Sequence, residues 1–397
     1  MKPWQSRIRK MNILVNGTPL LAPMTGIGQY IRQLFFAMDE LPEAQLHICS
    51  GLHCETGMQL PSTSAARAVQ GAYGLARRLL PNPRALKSRV EAAAFRYHAS
   101  RLPPDCIYHE PNFLPQPFDG PMVVTVLDLS CFDHPETHPT ERVRIMEREL
   151  PGALQRADHI IVISDASGEA LRRWFNVDPT RISKTYLASA PRFQPRGREV
   201  LVPDLASFGL VPGGYVLSVG TLEPRKNLTT LFAAFAGLPK ALRQRYPLVV
   251  AGTNGWKTEG LMKSAKELIG CGELRLLGYV ADELIPFLYA GAAAFCYPSR
   301  YEGFGLPALE AMASGVPVIA GNRTSLPEVV GDSGILVDPD DVEGMREHLR
   351  QLLEDRVFAE SLGRKGLSRS KMFSWDRCAR ETFAVYEKVM QKRGLRL

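Results

Sequence analysis

Glu302 and Glu310 stand eight residues apart in the stretch YEGFGLPALE, separated by a Gly-Phe-Gly-Leu-Pro turn. Two carboxylates so placed could form an acid/base pair, ligate one substrate at two points, or decorate the end of a helix. Pro307 suits the first turn of a helix. SRYEGFG is then the loop leading into that helix, with Gly303 and Gly305 beside its N-terminus, where bare backbone meets anions readily. Glu310 falls in the first turn or so, where the helix dipole alone accounts for it at roughly 0.3–1 kcal/mol. No such local reason covers Glu302, which lies in the loop.

A second group of candidates sits in GTLEPRKNLTTL. Asn227 reads as an N-cap, so Arg225 and Lys226 come immediately before a helix, although helix N-termini favour anions over cations. A diphosphate lying between would reverse that mismatch; a pair pointing into solvent is the alternative. In TGIGQY, Gly26 and Gly28 stand at the start of another helix and would let backbone approach an anion. A simple turn is the plainer explanation for them. The dinucleotide fingerprint is not met, because its third glycine falls at Ile31 and the second strand closes at Ser50 without an acid.

The elements that must hold these loops alternate as strand and helix. MNILVNG, AQLHICS, DCIYHE, PMVVTVLD and DHIIVIS are short apolar runs bounded by turn residues, and helical patterns such as TERVRIMERELPGALQRA separate them. Continuous Val/Ile runs of this kind are strands buried on both faces, hence a parallel sheet covered by helices. Over residues 188–214 the periodicity fails and prolines and glycines accumulate, which marks a domain boundary. A second series follows in GYVLSVG, YPLVVAG, ELRLLGYV, AAAFCYP and GVPVIAG. The expected fold class is α/β, with two Rossmann-like doubly wound domains facing across a cleft, over residues 11–200 and 209–374. Residues 375–397 form a last segment, helical in pattern from Trp375 to Arg393. In such sheets ligands bind beyond the carboxyl ends of the strands, where the candidate residues lie.

Bulk properties narrow the function classes. A length of 397 residues exceeds what one core usually organises, and 45% hydrophobic with 22% charged residues fits a soluble globular protein. No run is long and apolar enough for a membrane span, and the basic opening MKPWQSRIRK lacks the apolar run of a signal peptide. A cytoplasmic protein with reduced, buried cysteines is expected, since the seven cysteines show no CxxC spacing and the histidines no metal-binding pattern. Between Pro61 and Arg101 eight cations (Arg67, Arg77, Arg78, Arg84, Lys87, Arg89, Arg96, Arg101) face one anion, Glu91, so this stretch carries the chain's whole formal charge of +7. It reads either as a solvated helical face or as a patch meeting an anionic membrane surface or a phosphate-bearing acceptor. No recognition motif for nucleic acid accompanies the charge.

Taken together, GTLEPRKN, LLGYV, YPSRYEGFGLPALEAMASGVPVIAGN and LPEVVGDSGILVDP resemble the donor half of a retaining glycosyltransferase of the GT-B fold, family 4, also called glycosyltransferase group 1. The likeness extends over nearly the whole chain. It implies that Glu310 grips the ribose hydroxyls of a nucleotide and that Glu302 hydrogen-bonds the donor sugar. It implies likewise that Gly303, Phe304, Gly305 and Leu306 contact sugar and diphosphate through their amides, and that Arg225 and Lys226 bind the diphosphate. Gly28, with Gly26, would close on the donor from the first domain, Tyr279 would lie near the base, and the last helix would cross back onto the first domain. One departure stands out: many relatives carry His-Asp after the fourth strand, where this chain has Leu127-Asp128. Asp128 and His109 are the candidates left on the acceptor side.

A nucleotide diphosphate is already a good leaving group, so the need is to stabilise negative charge on the departing phosphate. Arg225, Lys226, Glu302 and Asp128 are the candidate catalytic groups, with no metal and no cofactor beyond the nucleotide sugar expected. Retention is implied by the resemblance; a nucleophilic Glu302 is the conceivable alternative. VVAGTNGW and LPEVVGDSG resemble mannosyl- and rhamnosyltransferases of O-antigen and exopolysaccharide pathways, which implies a GDP-sugar donor and a lipid-linked or polysaccharide acceptor, at the inner face of the membrane. A UDP-glucose enzyme of the same fold is the second reading. A catalytically inactive glycan-binding subunit is the third, and an NAD-dependent dehydrogenase is opposed by the absent fingerprint.

Overall fold

Short Val/Ile-rich runs with no polar face pair side by side, since only neighbouring strands can satisfy their buried backbone. In the computed structural model, which describes residues 10–22, 25–59 and 83–395, they build two sheets. The first contains β1 (Met11–Asn16), β2 (Ala44–Ser50), β3 (His53–Thr56), β4 (Ile107–Glu110), β5 (Met122–Val126), β6 (His159–Val162) and β7 (Ile182–Lys184), in the spatial order β3-β2-β1-β4-β5-β6-β7. The second contains β8 (Val216–Val219), β9 (Leu248–Ala251), β10 (Leu274–Gly278), β11 (Ala294–Tyr297), β12 (Val318–Gly321) and β13 (Ile335–Val337), in the order β10-β9-β8-β11-β12-β13. All pairs are parallel except β2 with β3. Both sheets reverse direction of winding once, between β1 and β4 and between β8 and β11, and crevices open at such switch points. Two doubly wound sheets facing across a cleft make the fold GT-B.

The helix Trp375–Lys392 follows the second sheet in sequence but packs on the first-domain helix Gly26–Asp39. Its apolar stripe, including Trp375, Ala379, Phe383, Tyr386 and Met390, joins the first-domain core. Phe304, Leu309 and Val329 from the second domain enter that same core, so one apolar cluster runs continuously between the two domains.

Two local expectations are corrected. Cys49 and Cys54 face each other across the β2–β3 hairpin and are disulfide-bonded, so the seven cysteines are not all reduced. A five-residue spacing hid the pair, because only the hairpin turn makes these positions direct neighbours. Of the rest, Cys271 is exposed and the other four are buried. Asn227 is not a side-chain N-cap: it takes a left-handed backbone and its amide donates to Pro298 O (3.2 Å) and Pro339 O (2.6 Å), tying the loop after β8 to those after β11 and β13. Three of the eight cations of the basic stretch, Arg67, Arg77 and Arg78, fall on residues 60–82, outside the described residues. The helix Pro83–Ala99 that follows presents Leu86, Val90 and Tyr97 to solvent. Among the described residues no helix is long and apolar enough to cross a membrane.

Candidate active site

The loop after β11 and the turn after β8 meet at the mouth of the second sheet. Gly305 caps the helix Leu306–Ala313 with φ of 108°, a backbone state that a side chain rarely tolerates. Gly303 serves contact instead: a Cβ there would lie 2.2 Å from Leu127 O, so the loop lies directly on the end of β5. Ser325 braces the turn, its one hydroxyl proton shared between Glu302 O (2.9 Å) and Phe304 O (2.8 Å), and Thr324 Oγ1 accepts from the Glu302 amide (3.0 Å). Phe304 itself is buried against Tyr186 and Phe373, so its side chain is core and not ligand.

Arg225 and Lys226 converge on Glu302. Lys226 Nζ donates to Glu302 Oε1 (2.7 Å) and to the Tyr297 hydroxyl (2.7 Å), while an Arg225 amino group lies 3.2 Å from Glu302 Oε2 and the other 2.6 Å from Glu223 Oε1. Burial by itself would raise the Glu302 carboxyl, but the Lys226 and Arg225 charges overcome it and hold the group down at about 2. Glu302 is therefore an anion at neutral pH. This alters the electrostatic reading of the RK pair, because Glu223 and Glu302 already supply the negative charge that the two cations require. Neither cation points freely into solvent.

Glu310 has a different setting, in the second turn of its helix and not the first. It faces a cavity of about 210 Å³ that is also lined by Gly26, Gln29, Arg192, Tyr279 and Leu306. Glu310 is partly exposed to this space yet closely surrounded by protein, which pushes its carboxyl up to about 8, with the neighbouring Tyr289 hydroxyl opposing the shift. The Tyr289 hydroxyl is buried and has no well-formed hydrogen bond. The cavity spans both domains, Gly26 and Gln29 coming from the first. Gly28 is buried inside its helix and does not line it, so of the two glycines Gly26 is the one at the edge. Tyr279 stands at the mouth, 60% exposed.

Asp282 escaped the sequence reading. Its carboxylate accepts from both Arg192 amino groups (2.5 and 2.6 Å), from Gln29 Nε2 (2.8 Å) and from Arg32 (3.1 Å), clasping the second domain to the first beside the cavity. Burial would raise Asp282, but the Arg192 and Arg32 contacts bring it below the ordinary range. No spacing signal could have found it, since its partners lie 90 and about 250 residues away.

On the first-domain side, Asp128 is partly buried at the end of β5, and its charge acts on Arg225. Leu127 is buried and turns its side chain into the core, while its carbonyl accepts from Ser167 Oγ (3.1 Å). His109 is corrected: it is fully buried, 2.5 Å from the Tyr386 hydroxyl and 2.8 Å from Thr125 Oγ1, and meets no acceptor. Burial drives its ring down to about 3, so it is neutral and structural. Next to it, Glu110 closes β4 beneath a second space of about 720 Å³, lined also by Asn16, Asn112, Gln116 and Arg142. The Glu110 carboxylate accepts from Tyr108 (2.6 Å), Asn16 (2.8 Å) and the Asn112 amide (2.9 Å). This space opens at the β1/β4 switch point and its size lies within the range of ligand pockets.

Comparison with known proteins identifies the family and the fold. Residues 212–369 match the family described as glycosyl transferases group 1. The chain is 40% identical over 386 residues to the O-antigen chain mannosyltransferase B of Escherichia coli, covering 95% of this chain and 100% of that one. It is 31% identical over 247 residues to the serotype-specific mannosyltransferase WbdA of Escherichia coli, a match spanning 60% of this chain and 29% of that protein. Among solved structures it superposes on a sucrose-phosphate synthase from Thermosynechococcus elongatus with a TM-score of 0.73, at 21% identity and with 97% and 100% of the two chains covered. The chain belongs to the glycosyl transferases group 1 family.

Proposed function

We propose that this chain transfers a hexosyl unit, mannose first and a deoxyhexose such as rhamnose next, from a GDP-sugar to a polysaccharide or lipid-linked glycan, with retention of anomeric configuration. One observation carries the reading: Lys226 and Arg225 converge on the ionised, buried Glu302, in the loop after β11 that runs on into Leu306 and Pro307, which line the cavity together with Glu310. A donor lying along that line would set its ribose at Glu310, its diphosphate at the two cations and its sugar at Glu302. A relative matched along its full length is a mannosyltransferase of O-antigen chains, which supports the sugar and the acceptor class.

In the step, the acceptor hydroxyl oxygen bonds to the anomeric carbon as the bond from that carbon to the diphosphate oxygen breaks, its electron pair staying on the phosphate. The hydroxyl proton passes to the departing phosphate oxygen. Arg225 and Lys226 are fixed by protein carboxylates before the donor arrives, so they meet the developing charge without reorganising. Glu302 accepts from sugar hydroxyls and its negative charge faces the positive character growing on the ring. The first-domain space above Glu110 takes the acceptor glycan. Leu86, Val90 and Tyr97 on the helix Pro83–Ala99 would rest against an anionic membrane surface, holding a lipid-linked acceptor near the cleft.

The purified chain is offered GDP-mannose, GDP-rhamnose and UDP-glucose with a glycan acceptor, and the anomeric configuration of the product is read by NMR. Transfer from a GDP-sugar with the donor's configuration kept is the expected result. Turnover of UDP-glucose alone would replace the donor assignment. Glycan binding with no turnover of any donor would leave a binding subunit.

A further inference from the structure

The segment after β5 carries a hydrogen-bonded chain that the donor machinery does not use. Asp128 Oδ1 accepts from the Ser130 amide (2.9 Å) and from the Ser130 hydroxyl (2.6 Å). Ser130 Oγ in turn lies 2.9 Å from His138 Nε2. A serine has one hydroxyl proton and a carboxylate can only accept, so that proton belongs to Asp128 and His138 Nε2 must donate to Ser130. The neutral imidazole is thereby held in one tautomer, with Nδ1 bare, buried and without a partner. His138 is only 3% exposed and lies before the helix Thr140–Arg156, on no strand end that periodicity would single out.

This chain ends at the seam between the domains. A Cβ on Gly303 would lie 2.9 Å from Asp128 Cβ, and Asp128 acts on Arg225, which places the carboxylate against the Glu302 loop on its first-domain side. The Ser130 bonds both fall on Oδ1; Oδ2 takes no hydrogen bond among the described residues. From the other side Trp256 of the second domain covers His138, with ring centroids 5.9 Å apart, and its indole N–H donates to Thr137 O.

Resting on the glycosyl-transfer reading above, we propose that His138 is a positioning residue: through Ser130 it fixes Asp128 so that Oδ2 accepts a hydrogen bond from a second hydroxyl of the acceptor sugar, next to the one that attacks the donor, and so holds the attacking oxygen in place. The side chain at 127 then needs no polar group, because the carboxylate is aimed from behind by His138. The Trp256 contact makes the arrangement complete only when the two domains are together. Burial lowers the His138 ring from its ordinary range, Arg142 and Arg225 act in the same direction, and Asp128 and Glu223 oppose them without reversing the shift, so the ring stays neutral.

The test compares His138→Ala, His138→Gln, Ser130→Ala and the double variant His138→Ala/Ser130→Ala in the full chain. The measurements are kcat, donor KM, the slower transfer of sugar to water, and Tm. The expected result is a fall of about tenfold to a hundredfold in kcat for glycan transfer with His138→Ala and with Ser130→Ala. Donor KM and transfer to water should hold, and the double variant should be no worse than either single one. Glutamine carries an N–H donor near the place of imidazole Nε2, so His138→Gln should restore most of the rate. Losses that follow Tm or donor KM, or a glutamine variant as poor as alanine, would overturn the positioning role while leaving glycosyl transfer intact. Failure of the unaltered chain to transfer sugar from any donor would overturn the underlying reading and this inference with it.

Discussion

Glu302 and Glu310 are the same residue type eight positions apart, yet their environments drive them in opposite directions. Glu302 is buried among cations and held at about 2; Glu310 is crowded by protein without a paired cation and pushed up to about 8. Glu302→Gln would strand Lys226 in the interior, and breaking a buried pair in this way costs roughly 3–5 kcal/mol. Thermal unfolding at neutral pH should show that loss directly. Because the folded pKa of Glu302 lies below its unfolded value, its contribution is whole above the ordinary carboxylate range and fades as pH falls toward 2. Glu310 has the reverse sign. Its fold favours the protonated form, so its stabilising share is intact below the unfolded pKa, declines through neutral pH, and is gone above about 8. Comparing Tm from pH 5 to 9, the Glu310→Gln variant should lose that decline.

At the level of elements, the decisive contact is a loop of the second sheet lying on a strand end of the first. Gly303→Ala would place a methyl group 2.2 Å from Leu127 O, and neither backbone can yield without moving β5 or the Glu302 loop. We expect kcat to fall about a hundredfold, since displacement of about 1 Å at a reacting site has that effect. Circular dichroism should show unchanged secondary structure, separating a misplaced loop from an unfolded chain. The last helix acts at the same scale. It brings Tyr386 to His109, which converts a histidine at a strand end from a candidate ligand into part of the core.

For the molecule as a whole, the Asp282 clasp joins the domains at the cavity edge. Arg192 precedes the second sheet, Gln29 and Arg32 belong to the first domain, and all three meet one carboxylate. Hydrogen bonds to charged groups contribute about 1.5–3 kcal/mol each. Asp282→Asn removes the charge and should shift the domains toward an open state. Small-angle scattering should report a larger radius of gyration, and donor KM should rise about tenfold, the equivalent of 1.4 kcal/mol. An unchanged radius and KM would reduce the clasp to a surface ion pair.

Local physics was enough for much of this protein. Apolar runs bounded by glycine and proline specify strands buried on both faces, Pro307 specifies a helix start, and the failure of periodicity over residues 188–214 separates two sheets. Those features depend on neighbours along the chain, and the sequence lists neighbours along the chain. The same holds for Glu302, Arg225 and Lys226 as a group, because each lies at a strand end of one sheet. What only the tertiary structure decided depends on distance through space. Whether the RK pair is free or matched by Glu223 and Glu302, whether Gly26 or Gly28 meets the cavity, and whether His109 faces solvent or Tyr386 are all questions of burial. Asp282, Cys49 with Cys54, and the His138–Ser130–Asp128 chain are questions of which side chains the fold brings within hydrogen-bond or bonding reach. A spacing rule cannot state them, because charges and donors act over a few ångströms and take no account of how much chain lies between.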